Sequence, residues 1–161
     1  MDRTRLSLSS HKRSLGFTLV EAMVAMVIFT IGFSGLYFFF GIAQQVIADS
    51  EKRMYVNLMA DRIIETIAAQ AMRPTTDSLN PFTNPSQYAG SLATCNYSAT
   101  DDRQAWCTDL NANIGALNTA SGLEIRQIDV SNDGTGLIVN VSLVTNGGTV
   151  SAYFTRKLRK I

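Results

Sequence analysis

The residue with the clearest chemical consequence is Glu21, because it breaks an otherwise apolar segment. From Ala22 to Ala43 the chain runs 22 residues without a charge. A carboxylate inside such a run is costly, about 3 kcal/mol for a central acidic residue in a membrane helix. Either Glu21 meets an opposite charge in an assembled state, or it lies at headgroup level, where ionisation costs little. Cys95 and Cys107 are the only cysteines. An even count in a translocated domain favours a disulfide, whereas cytosolic thiols stay reduced. A bridge would close a loop of about a dozen residues and contribute roughly 3 kcal/mol. Neither cysteine has CxxC spacing, and the single histidine, His11, lies in the basic first segment, so no zinc set is expected. Asp101, Asp102 and Asp109 lack the spacing of a calcium loop and read as solvated carboxylates. With no nucleophile–base pair, metal cluster or phosphate-binding loop, neither an enzyme nor a cofactor is expected.

The elements that carry these residues follow from charge and periodicity. Residues 1–16 hold Arg3, Arg5, Lys12 and Arg13 against Asp2, a net +3, which leaves −2 for the rest of a chain whose total is +1. A strongly basic surface for nucleic acid is therefore absent, and no nucleic-acid partner is expected. At ~1.5 Å per residue the uncharged run makes a helix of about 33 Å, enough to cross a hydrocarbon core of about 30 Å. It exceeds the roughly 7–15 residues of a cleaved signal's apolar region and lacks a small-x-small cleavage site, which predicts a retained transmembrane helix. The positive flank places residues 1–16 in the cytoplasm and the chain after about residue 44 outside. Helical periodicity then continues: Val56, Met59, Ala60, Ile63, Ile67 and Ala71 form an apolar stripe opposite Arg53, Asn57, Asp61 and Glu65, until Pro74 ends the pattern. One helix is thus predicted from about 17 to 72, its first half for lipid and its second for a small domain.

Residues 74–122 read as loop, with Pro74, Pro81, Pro85 and many Asn, Ser and Thr. Leu123 to Val130 alternates in part, whereas Leu137, Val139, Val141 and Leu143 alternate well, as do Val150, Ala152 and Phe154. The turns between them, Asn132 to Gly136 and Asn146-Gly147-Gly148, have hairpin chemistry. The expected architecture is α+β: a long helix packed on an antiparallel meander of about three strands. The basic tail, Arg156 to Lys160, reads as a solvated charged end in preference to a contact with DNA or anionic lipid.

Gly16-Phe17-Thr18-Leu19-Val20-Glu21, with a basic leader before it and an apolar helix after it, resembles the type IV prepilin processing motif. The resemblance implies that a membrane peptidase cuts between Gly16 and Phe17 and methylates the new terminus at Phe17. A residue without a side chain at Gly16 lets the peptidase approach the backbone. Glu21 is then five places into the mature chain, where its carboxylate registers the subunit by neutralising the terminal amine of a neighbour; paired buried charges tolerate a filament core far better than single ones. The implied partition is a removed cytoplasmic leader (1–16), a transmembrane and filament-core helix (17–44), an amphipathic half (45–73) and a periplasmic head (74–161).

Val24 to Phe33, and Ala60 to Glu65 followed by Met72-Arg73-Pro74, further resemble the PilV-type minor pilins. The likeness covers residues 12–45, continues more weakly to 74 and stops there. It implies a structural subunit of the inner membrane that initiates or caps pilus assembly and supports piliation, twitching motility or adhesion. Its implied partners are major and minor pilins, the prepilin peptidase, the inner-membrane assembly platform and the lipid bilayer. Many major pilins break the apolar run with proline; here only Gly32, Gly35 and Gly41 weaken it, by about 1 kcal/mol each. The same start is similar to a pseudopilin of type II secretion, whose pseudopilus exports proteins.

Overall fold

The structure is a computed structural model that describes residues 18–120 and 122–159. Gly16 and Phe17, like the rest of the expected leader, lie outside the described residues. Helix α1 spans Leu19–Ala71. It opens at Thr18, whose carbonyl accepts from the Ala22 N–H at 3.1 Å and whose hydroxyl accepts from the Glu21 N–H at 3.3 Å. It closes with two tightened bonds, from Met72 N–H to Ala69 O (3.2 Å) and from Arg73 N–H to Gln70 O (3.1 Å), just before Pro74. The helix runs unbroken through Gly32, Gly35 and Gly41.

The chain forms two compact units divided between Gln44 and Gln45. In the first, no described residue is buried. One 18-residue window there reaches a mean hydropathy of 2.1, and this segment fits a single membrane anchor. Its hydroxyls fold back on the helix itself, from Thr30 Oγ1 to Met26 O at 2.7 Å and from Ser34 Oγ to Thr30 O at 2.8 Å, which leaves them satisfied without water.

The second unit is a four-stranded antiparallel sheet of β1 (Gly90–Ser91), β2 (Ile125–Asn132), β3 (Gly136–Thr145) and β4 (Val150–Arg159), in that spatial order. The expected meander is β2–β4; β1 adds two residues, too few to leave a periodic signal. Leu137, Val139, Val141 and Leu143 are all buried, as their alternation predicts. They pack with Val56, Met59, Ala60, Ile63, Ile64 and Ile67 of α1 in one core. Each such side chain is worth roughly 1.5–3 kcal/mol when fully buried. Arg53, Asn57, Asp61 and Glu65 face solvent. The β3–β4 connection places Asn146, Gly147 and Gly148 at φ of 56, 63 and 92°, a left-handed region that Asn and Gly enter at least cost.

The stretch read as loop contains a second helix, α2 (Asp102–Ile114). Asp101 caps it, accepting from the Arg103 N–H at 2.9 Å, and Gly115 ends it at φ 88°. No glycine or proline falls within it, and Trp106, Cys107 and Leu110 bury one face in the same core.

Candidate functional site

The site expected to direct assembly lies at the start of α1. Thr18 is the N-cap and Glu21 the third helical residue, so Thr18-Leu19-Val20-Glu21 has the spacing of a capping box. One orphan N–H of the first turn is satisfied by the threonine hydroxyl. The Glu21 carboxylate is exposed, and none of the described residues gives it a side-chain hydrogen bond or ion pair. Negative charge here is favoured by the helix dipole by about 0.3–1 kcal/mol. The geometry thus separates two roles: the backbone of Glu21 belongs to the cap, and its side chain is free for an external cation. Thr18 is a residue that reading Glu21 only as a misplaced charge overlooks, although the Thr-x-x-Glu spacing displays it.

Cys95 and Cys107 are joined by a disulfide, with Cα atoms 5.4 Å apart. The bridge fastens the segment after β1 to α2, and Asn111 Nδ2 lies 3.1 Å from Cys95 Sγ. The same Asn111 accepts from Arg126 Nη1 at 2.7 Å, while Arg126 Nη2 donates to Gly115 O at the end of α2, also at 2.7 Å. Arg126 is 2% exposed, and among the described residues no carboxylate is ion-paired to it. Burial pushes its pKa down, with the charge of Glu124 acting the other way. A guanidinium at a helix C-terminus meets partial negative charge, which offsets part of that desolvation. It also explains why Leu123 to Val130 alternates only in part. Ile128 and Val130 set which face of β2 turns inward; Arg126 then falls inside, and Ile125 is left outside at 44% exposure.

The three aspartates weighed for calcium have other roles. Asp101 caps α2 and holds Arg103 Nη2 at 2.7 Å; Asp109 accepts from Arg62 Nη1 at 2.8 Å; Asp102 lies in the first turn of α2. Arg103 also donates to Ala89 O at 2.7 Å and lies 4.3 Å from the centre of the Tyr97 ring. Among the described residues no three His, Cys, Asp or Glu side chains come together as a metal-binding group.

The β3–β4 turn grips α1 within the second unit. Asn146 Nδ2 donates to Asp49 Oδ1 at 3.0 Å, and Arg53 Nη2 donates to Thr149 O at 2.6 Å. This polar clamp fixes where the sheet meets the helix, and only the turn chemistry of Asn146-Gly147 hints at it in the sequence.

Residues 11–37 match a protein-family model described as the prokaryotic N-terminal methylation motif. The match covers Gly16, Phe17 and Glu21 and reaches well into α1. It supports a pilin-like protein, a class of structural subunits and not in general of enzymes, and implies processing by a prepilin peptidase and assembly with other pilins. No curated protein and no solved structure matches the chain.

Proposed function

We propose that the chain is a minor pilin of a type IV pilus that enters the inner membrane and helps to initiate or cap filament assembly. The observation that carries this reading is the methylation motif running into an apolar helical segment in which no described residue is buried. Such a surface requires lipid or other apolar helices around it. On this reading the prepilin peptidase removes residues 1–16, Phe17 becomes the methylated terminus, and residues 17–44 move from bilayer to filament core. Residues 45–73 carry the periplasmic head, 74–161. An assembly platform lifts the subunit outward, and Glu21 registers it by meeting the terminal amine of a neighbour. Support for that role is the exposed carboxylate at the start of α1, which has no side-chain partner among the described residues.

Mass spectrometry of the amino-terminal peptide tests the reading directly. A peptide that begins at N-methyl-Phe17 is expected, and an intact leader on membrane-extracted protein overturns it. The motif fits a pseudopilin of a type II secretion system equally well. Deletion separates the two: loss of piliation and twitching marks the pilus, and loss of protein export marks the pseudopilus.

A further inference from the structure

The two edges of the sheet are unlike. At one edge β1 has two residues; at the other β4 has ten and, among the described residues, pairs only with β3. A long strand with one unpaired edge presents a row of N–H and C=O groups to any extended chain that can approach. Beneath the second half of β4 lies an open groove of about 600 Å³. Ala68 and Ala71 of α1 and Leu158 of β4 are among its apolar lining, and Arg73, Arg156 and Arg159 line it as well. The small alanines leave this volume unfilled where the core would otherwise continue. Arg73 is shared with Asp77 at 3.0 Å, and Lys157 is held by Asp133 and Thr135. Arg156 and Arg159 are exposed, and neither side chain has a hydrogen bond or ion pair among the described residues.

We propose that this edge and groove dock an extended acidic segment of a partner protein, which adds to the sheet alongside β4. Apolar side chains of the segment enter the groove beside Leu158, and its carboxylates meet Arg159 on the opposite face of the added strand and Arg156 on the groove face. The charge pattern selects this occupant. Two copies of β4 meeting over this half would set Arg156, Lys157 and Arg159 against like charges, which is destabilising in a cross-strand pair. A strand carrying carboxylates turns the same groups into charge-assisted contacts, while the backbone ladder supplies affinity that does not depend on sequence. The basic lining is local, because the chain beyond residue 16 carries a net −2.

The test uses the full chain in detergent micelles and a fluorescein-labelled peptide of alternating valine and glutamate. Binding is expected to exceed that of the matching valine–lysine peptide by roughly tenfold or more, and to fall by a similar factor in R156Q/R159Q protein of unchanged circular dichroism. Methylating alternate backbone nitrogens of the peptide removes its ladder donors and is expected to abolish binding. Full binding by the N-methylated peptide overturns the proposal, as does equal binding of the lysine peptide. Binding of duplex DNA or of phosphatidylglycerol vesicles through Arg156 and Arg159, with the acidic peptide ignored, overturns it too. Protein that retains its leader serves equally well, so failure here leaves the filament reading standing.

Discussion

At the start of α1 one turn of helix holds a structural role and an assembly role on a single residue. The N–H of Glu21 is satisfied by Thr18 Oγ1, and its carboxylate is left without a side-chain partner among the described residues. Substituting Thr18 removes the cap, a loss of about 1 kcal/mol confined to the first turn. Substituting Glu21 by glutamine preserves the backbone bond and removes only the charge. Glu21→Gln protein is therefore expected to enter the membrane and lose its leader as the wild type does, while its share of sheared filaments falls by roughly tenfold, the factor that 1.4 kcal/mol represents. Quantitative immunoblotting of sheared and cell-bound fractions reads both. Wild-type recovery in the sheared fraction would show that the carboxylate does not register subunits. The charge itself was plain from the sequence, since nothing else within the apolar run is ionised. The cap was equally plain in Thr-x-x-Glu, but that spacing carries meaning only once a helix start is fixed at Thr18.

At the scale of elements, what could be read depended on whether an element declares itself through periodicity. The stripe from Val56 to Ile67 and the alternation of β3 did so, because each buries one face against the other. Helix α2 did not. Its Asp, Thr and Asn residues are weak helix formers, and three buried side chains, with the disulfide, hold it where propensity alone would not. Asp101 before it, Gly115 after it and the absence of proline between them were the available signs. In β2 the sequence left two candidate inner faces, and the choice placed Arg126 between the sheet and the end of α2. Its loss should be costly, since a fully buried side chain is emptied from the interior and Gly115 O and Asn111 Oδ1 both lose their donor. Arg126→Ala is expected to destabilise the folded unit by about 3 kcal/mol. Arg62→Ala, which removes an exposed pair with Asp109, is expected to cost under about 1 kcal/mol. Denaturant titration in micelles compares them; equal effects would mean that Arg126 is not the tie between β2 and α2.

Over the whole molecule, charge and exposure divide along the chain in a way that makes acid a useful probe. Through Gln44, Glu21 is the only acidic or basic side chain among the described residues of α1, whereas beyond it several carboxylates are held ionised by the fold. Arg103 holds Asp101 below its ordinary value of 3.8. Burial pushes Glu124 up, but the N–H groups of Gly147 and Asn118 outweigh it and bring the group below 4.5. Asp133, paired with Lys157, and Asp77, held by the Leu79 N–H and Arg73, are also lowered; both are solvent-facing, so screening leaves them little effect on stability. A carboxyl whose pKa is depressed by folding binds protons more readily when unfolded. Its contribution is complete above the ordinary value and is lost as pH falls through that value toward the folded one. The melting temperature of the unit beyond Gln44 is therefore expected to be level from about pH 7 to 5 and to fall below about pH 4. Asp101→Asn removes one of the two partly sheltered carboxylates, and the amide cannot hold Arg103 through charge. Its melting temperature should start lower at pH 7 and decline less steeply in acid, because less remains to be protonated. Near-ultraviolet circular dichroism at Trp106, buried against the core, reports this transition apart from the helical signal of the membrane segment. Parallel acid profiles for variant and wild type would place the acid-sensitive group elsewhere, with Glu124 the next to replace.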